Sequence, residues 1–444
     1  MNAFEPPARP RVIEEMDVEK NLLMNLVAKT MYVSGVTPPS RLADYTKLSE
    51  TIVTQLLEEM QELGLVESKG SLGSDIKSEF RYALSSKGSG WAAEAFEKSQ
   101  YVGPAPVSLN SFSDQIKRQS IIHEKVDKET LANSLSDLVL PGDLVHRLGP
   151  AVNSGKSILL YGASGNGKSC IAEALGNSFK QVIYLPYCFE IDGHIINFFD
   201  EMIHRRIDPT SDESPHNNMV PNAETTDIDP RWVACKRPVV LTGGELTLEM
   251  LDLIFTPYSK YYEAPLQLKA VGGVFIVDDF GRQKTQPQAI LNRWIVPLEH
   301  GRDFLTLHTG KKFPVPFDEL VVFSTNIPPS DLSDVATLRR LYYKIEVPAP
   351  TRDDYGTIFN NVCREKGISL PDGLISFIFK EFYKKNNLSP SGYHPKYLVE
   401  HVAAICNFYN LEVELNKDLL KIAWHNFHVE PNRPGNAATN NLRQ

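Results

Sequence analysis

Cysteine is scarce in this chain of 444 residues: there are five, at Cys170, Cys188, Cys235, Cys363 and Cys406, odd in number and never spaced as CxxC. That scatter excludes a disulfide framework and a paired-cysteine zinc site, and it points to a reducing compartment, read here as the cytoplasm. Long apolar runs are lacking too. No stretch of about 18 uninterrupted apolar residues occurs, and the opening MNAFEPPARPRVIEEMDVEK has no apolar centre of a leader peptide, so no membrane insertion is expected. Positive charge is in deficit. The 46 basic and 55 acidic side chains give a formal charge of -9, which offers no global attraction to phosphate backbones or anionic lipid. What is present is ordinary for a globular chain: 42% hydrophobic and 23% charged residues. At roughly 100 to 200 residues per unit, the length asks for two to four folding units.

Residues 1–98 read as a small α+β unit. Leu22, Leu23, Leu26, Val27 and Met31 recur at helical spacing, Pro38 and Pro39 stop that helix, and Ser40 is placed to cap the next short one. A third helix from Thr46 to Leu65 carries Ile52, Val53, Leu56, Leu57, Met60 and Leu63 on one face and closes at Gly64. Leu65-Val66-Glu67, a Gly/Ser-rich turn and Phe80-Arg81-Tyr82-Ala83-Leu84 read as two short strands around a tip, so the segment resembles a winged helix-turn-helix domain. Reading DNA through the third helix would need basic or amide side chains on its outward face. That face instead carries Glu50, Glu58, Glu59 and Glu62, no Lys or Arg lies between Ser49 and Gly64, and residues 1–100 hold 11 basic against 15 acidic side chains. A protein-contact role is therefore favoured over DNA binding, which stays open as the rival.

Residues 99–130 mix Pro, Gly and Ser with weak periodicity and read as a linker. From 131 to 350 the apolar runs Ser157-Ile-Leu-Leu-Tyr, Val239-Val-Leu, Val274-Phe-Ile-Val and Leu320-Val-Val-Phe, separated by helical stretches, predict the buried strands of a parallel sheet. Within this part, residues 208–231 are acidic, rich in proline and nearly devoid of apolar residues, and read as an exposed, mobile insertion. Helical patterns follow over 351–430, and residues 431–444 have no periodicity and read as a disordered tail.

The chemistry lies in the α/β part. Gly162-Ala163-Ser164-Gly165-Asn166-Gly167-Lys168-Ser169 fits G-x-x-x-x-G-K-[ST] between a short apolar strand and a helical run opening at Cys170. Glycines there let backbone N–H groups fold round phosphate oxygens, Lys168 reaches the β- and γ-phosphates, and Ser169 ligates Mg2+. Farther on, Gly272-Gly273-Val274-Phe-Ile-Val277-Asp278-Asp279 is an apolar strand ending in two carboxylates. Asp278 can hold the metal ion while Asp279 orients and polarises an attacking water. Glutamate is usual at that second place, and Asp279 is one methylene shorter. Leu320-Val-Val-Phe-Ser-Thr-Asn326 is a third strand, ending in a polar amide.

Together the phosphate loop at 162–169, the acidic strand end at 274–279, Asn326, the paired Arg339 and Arg340 and a helical lid resemble the AAA+ superfamily over about residues 130–430. The stretches RPVVLTGGELTLEMLDL, YYEAPLQLKAVGGVFIVDDFGR and GYHPKYLVEH are similar to a bacterial group of AAA family ATPases loosely named ATPases with chaperone activity. Members of that group carry Asp-Asp, which implies that Asp279 is catalytic. The resemblance implies a P-loop parallel-sheet core with a C-terminal helical lid, and ATP and Mg2+ as cofactors. It assigns γ-phosphate sensing to Asn326 and an arginine finger, delivered to a neighbouring subunit, to Arg339 or Arg340. LRRLYYKIEVP is similar to the corresponding place in bacterial enhancer-binding ATPases and favours Arg339. In His394-Pro395-Lys396-Tyr397, Lys396 stands where such lids commonly carry a nucleotide-contacting arginine. Loop residues Gly162 to Ser169, with Cys170, complete the expected nucleotide site.

The expectation is therefore an oligomeric ATPase, a homo-hexamer, that remodels a protein recruited through its winged helix. A DNA-associated regulator and a nucleotide-dependent scaffold with little hydrolysis stand as alternatives. Two smaller questions stay open: whether Arg282 and Arg293 sense phosphate or pair on the surface, and whether DFLTLHTGKKFPVP projects as a hairpin or extends a sheet.

Overall fold

The computed structural model describes residues 5–71, 80–207, 227–332 and 338–427. Three helices open the chain: α1 (Lys20–Ser34), α2 (Pro39–Thr46) and α3 (Glu50–Glu62). α1 ends where Gly35 takes φ 72°, and α2 starts with Pro39 in its first turn, where a missing N–H costs nothing. Ser40 therefore lies inside α2, and Pro38 holds the capping position expected for it. Ser49 caps α3 by accepting from Ile52 N, so α3 begins four residues later than the apolar pattern suggests. Ile52, Val53, Leu56, Leu57 and Met60 are buried as expected, whereas Leu63 sits at the helix end and is exposed. β1 (Val66–Ser71) and β2 (Phe80–Leu84) pair antiparallel, Thr37 bridges to Tyr82, and α4 (Ser86–Lys98) returns against α1. The tip between the strands lies outside the described residues.

The stretch expected as a linker is built into the molecule. It contains β3 (Val107–Ser108), α5 (Leu109–Arg118) and the start of α6 (Lys128–Ser134), with Phe112 and Ile116 fully buried. Weak periodicity concealed a polar anchorage. Glu124 accepts from Lys180 N, Gln181 N and Arg237 Nε, while Asp318 accepts from Ser120 Oγ and Ile121 N. Arg237 is also bonded to Gln119 O and Gly272 O, so a buried ion pair carries its own hydrogen-bond shell.

The central sheet has five parallel strands in the order β16 (Tyr343–Glu346), β4 (Ile158–Tyr161), β15 (Leu320–Thr325), β12 (Val274–Val277) and β9 (Val239–Thr242). Four of the five are the apolar runs of the sequence. Alternate residues enter opposite cores: Ile158, Leu160, Ile276 and Val322 meet α7 (Leu144–Ser154) and α8 (Lys168–Gly176), and Leu159, Phe275, Val277 and Phe323 meet Trp294 and Leu291. Both faces are covered, which is why the strands are apolar without alternation. This is an α/β fold with a P-loop core followed by helical segments. The helices Arg352–Glu365, His394–Phe408 and Lys417–Phe427 form a separate C-terminal core around Tyr355, Phe359, Leu398 and Trp424.

A second sheet, unforeseen, lies between β3 and the Asp-Asp strand in sequence: β10 (Ile254–Thr256), β11 (Tyr261–Glu263), β7 (His194–Asn197), β6 (Cys188–Ile191) and β3. β5 (Val182–Pro186) and β8 (Trp232–Lys236) form a further antiparallel pair. The turn joining β6 to β7 is Asp192-Gly193, both at positive φ, the residue pair that a two-residue hairpin favours. The segment DFLTLHTGKKFPVP is the hairpin β13 (Arg302–Thr306) and β14 (Lys312–Pro316). It folds back, with Leu305, Phe313 and Val315 in the same core as Phe112, Phe189 and Tyr262. Each such burial is worth about 1.5 to 3 kcal/mol. Most of residues 208–231 and all of 431–444 lie outside the described residues. Among the described residues, no helix is long and apolar enough to cross a membrane.

Glu319, just before β15, is buried, and its carboxylate meets no side-chain donor among the described residues. Burial, with Asp318 and Asp303 nearby, holds its carboxyl well above the usual carboxylate range. Folding therefore keeps the proton that the unfolded chain releases near the ordinary value of 4.5. The resulting penalty is absent below that pH and grows as pH rises towards the folded value. Glu319→Gln is expected to be more stable than the native chain by about 1 to 3 kcal/mol at pH 8, with the difference vanishing near pH 4 in denaturant titrations.

Candidate functional site

Parallel strands bring all their carboxyl ends to one edge, and the predicted residues collect there. β4 ends at Tyr161, the loop 162–167 turns, and α8 opens at Lys168 with Gly167 as its cap. Two glycines are required by geometry. Gly162 has φ 144°, and a Cβ there would stand 2.3 Å from Val347 O at the end of β16. Gly165 has φ 79°, and a Cβ would stand 1.9 Å from the Tyr393 ring and 2.6 Å from Ser391 Oγ.

Lys168 is buried, and its Nζ donates to Gly162 O at 2.9 Å, Ala163 O at 2.8 Å and Asn326 Oδ1 at 2.6 Å. Burial lowers its affinity for the proton, and Asp278 and Asp279 act in the opposite direction. Ser169 Oγ donates to Asp278 Oδ2 at 2.7 Å. Asn326 Nδ2 donates to Asp279 Oδ1 at 3.2 Å. Three strand ends are thus joined: β4 through the loop, β12 through the two aspartates, and β15 through Asn326. Asp279 adopts φ 48°, a left-handed conformation rare for a residue with a side chain. Loop oxygens and amides, a buried lysine and a hydroxyl-carboxylate pair form a donor set suited to a magnesium-bound polyphosphate.

Other predicted residues lie around this centre. Cys170 is exposed in the first turn of α8. Arg339 is exposed, whereas Arg340 is half-buried with its Nε 3.3 Å from Glu299 Oε1. Lys396 is exposed in the first turn of the helix His394–Phe408. Arg282 is exposed, and Arg293 forms a two-pronged bond to Asp303 at 2.6 and 2.9 Å, a structural ion pair.

Four contributors were not foreseen. Tyr393 N donates to Gly165 O at 3.0 Å, and Ser391 Oγ lies 3.0 Å from Ser164 O and 3.3 Å from Asn166 Oδ1, so the lid loop grips the phosphate loop from outside. Glu299 gives the two arginines different surroundings by pairing with Arg340. Gln283, buried in the turn after Asp279, is bonded to the backbone of its neighbours. Only Ser391 and Tyr393 had a signal, their place beside His394-Pro395; a lone Gln or Glu in a polar turn has none.

A family model described as "Domain of unknown function (DUF8689)" matches residues 351–426, the helical C-terminal part. No curated protein matches the chain. Among solved structures, NtrX from Brucella abortus is similar at 13% identity and a TM-score of 0.39, over 66% of this chain and 57% of that one. A RuvB variant from Thermotoga maritima is similar at 12% identity and 0.36, over 69% of this chain and 72% of that one.

Because Gly165 combines a positive φ with contact to the lid, Gly165→Ala is expected to cost about 1 to 3 kcal/mol of stability in thermal or denaturant unfolding. Adding Tyr393→Ala should recover part of that loss by removing the colliding ring, while the cost of the left-handed backbone persists.

Proposed function

We propose that this chain is an AAA+ ATPase that hydrolyses ATP as a homo-oligomeric ring, a hexamer, and uses the cycle to remodel a protein partner. The observation that carries the reading is the joining of Lys168, Asn326 and Asp279 in one hydrogen-bonded chain beside the Ser169–Asp278 pair, at the carboxyl edge of a parallel sheet. Bound Mg2+, held by Ser169 and Asp278, would supply positive charge to the β- and γ-phosphate oxygens.

The chain's own groups account for the remaining steps. Lys168 exchanges its loop carbonyls for phosphate oxygens, and loop N–H groups fix the phosphates in line. Asp279 accepts the proton of the water that attacks the γ-phosphorus as the bond from that phosphorus to the β-phosphate oxygen breaks, releasing ADP and phosphate. Asn326, bonded to both Lys168 and Asp279, reports whether the γ-phosphate has displaced that contact. Lys396 lies in the first turn of the lid helix and contributes positive charge from that side.

Arg339 is the finger for a neighbouring subunit, because it is exposed while Arg340 is engaged by Glu299. Residues 1–98 act as a winged helix that recruits the protein partner. Glu50, Glu58 and Glu62 are exposed on α3 and Glu59 pairs with Lys20 at 2.8 Å, an outward face that repels phosphate and weighs against DNA.

Lys168→Ala should abolish nucleotide binding in a fluorescent-nucleotide titration. Asp279→Asn should bind ATP normally and hydrolyse it roughly 100- to 10,000-fold more slowly; normal turnover would remove Asp279 from the mechanism. Specific activity should rise with protein concentration, and mixing Arg339→Ala with Lys168→Ala chains should restore turnover that neither has alone. Salt-sensitive DNA binding by the full chain would favour the rival reading.

A further inference from the structure

Gln283 lies four residues beyond Asp279, is 8% exposed, and uses both ends of its amide. Its Nε2 lies 3.0 Å from Asp278 O, 3.3 Å from Asp279 O and 3.3 Å from Gly243 O, while its Oε1 accepts from Gly281 N at 2.8 Å. We propose that Gln283 is a positioning residue for hydrolysis: it gathers the backbone of the Asp-Asp turn so that the two carboxylates point to their separate tasks. This rests on the ATPase reading above.

The need for such a clamp follows from the turn. Asp278 ends a regular strand with its N–H on Thr242 O, but Asp279 has φ 48° and leaves the sheet. A left-handed aspartate persists only where surrounding bonds over-determine it. Phe280 N on Ser324 O and Arg282 N on Asp279 O hold the chain beyond it. The carbonyls of Asp278 and Asp279 both turn towards the one NH2 group of Gln283, leaving the side chains to reach Ser169 and Asn326 respectively. Gly243, at the end of β9, shares the same donor, so the clamp fixes the turn to the neighbouring strand as well.

No other side chain of this size fits the demand. Asp278 O needs a donor and Gly281 N an acceptor on the adjacent atom, which an amide provides and a carboxylate of the same shape does not, while Asp279 O and Gly243 O share that donor with Arg282 N and Leu246 N. Gln283→Glu keeps volume and the acceptor while removing both donors. Groups that orient metal-binding and catalytic residues are typically worth 10- to 100-fold in activity.

The test uses the full chain, with Gln283→Glu and Gln283→Ala beside the native protein. Three quantities are measured: steady-state ATP turnover, ATP affinity without magnesium, and the magnesium concentration giving half-maximal rate. Expected is a kcat lower by roughly 10- to 100-fold in both variants, a raised magnesium requirement, and unchanged metal-free ATP affinity. With a native protein that turns over, unchanged kcat in both variants overturns this assignment alone. So does a parallel fall of kcat and metal-free ATP affinity with no change in the magnesium requirement, which marks a merely structural residue. A native protein that hydrolyses no ATP at any concentration overturns the ATPase reading and this assignment with it.

Discussion

Parallel pairing of five strands is the constraint on which the rest of the structure depends. Because β16, β4, β15, β12 and β9 all run the same way, every strand delivers its carboxyl end to one edge. Residues more than 150 positions apart in sequence, such as Lys168 and Asn326, meet there at 2.6 Å without any special loop. Burial on both faces makes β4, β12 and β15 largely apolar, so charged and amide side chains appear only after the last buried position. Asp278, Asn326 and the phosphate loop all occupy that place.

The same rule explains what could be read from the amino-acid order. Continuous apolar runs ending in Gly, Asp-Asp or Asn disclosed both the sheet and its edge, because one physical cause, two-sided burial, wrote the whole pattern. The second sheet escaped for the opposite reason. β3, β10 and β11 are two or three residues long, too short for any period, and are held by partners distant in sequence. The stretch 99–130 misled in a related way: its order comes from polar anchors, Glu124 to Arg237 and Asp318 to Ser120, which look like surface charges until the chain is folded.

At the site, the residues expected to touch phosphate or metal were legible and those that hold them were not. Lys168, Ser169, Asp278 and Asn326 follow from motif spacing, since phosphate chemistry prescribes their types. Gln283, Ser391, Tyr393 and Glu299 act through backbone atoms or a single partner, and no spacing rule prescribes them. The unequal surroundings of Arg339 and Arg340 belong here as well. Sequence could name the pair with a slight preference for Arg339, and the ion pair with Glu299 then sets Arg340 apart.

Arg231 donates to Asp17 at 3.0 Å and to Pro106 O at 2.9 Å, and it is bonded to Asp229 through both carboxylate oxygens, nearly all out of solvent. Asp17 in turn accepts from Ser108 N. During synthesis the first hundred residues leave the ribosome long before their counter-charge exists. The N-terminal helices can form as soon as they emerge, but Asp17 cannot dock until more than two hundred further residues have been made. Seating of the N-terminal segment is therefore a late, vectorial event. It is completed only once Arg231 has been translated and has paired with Asp17.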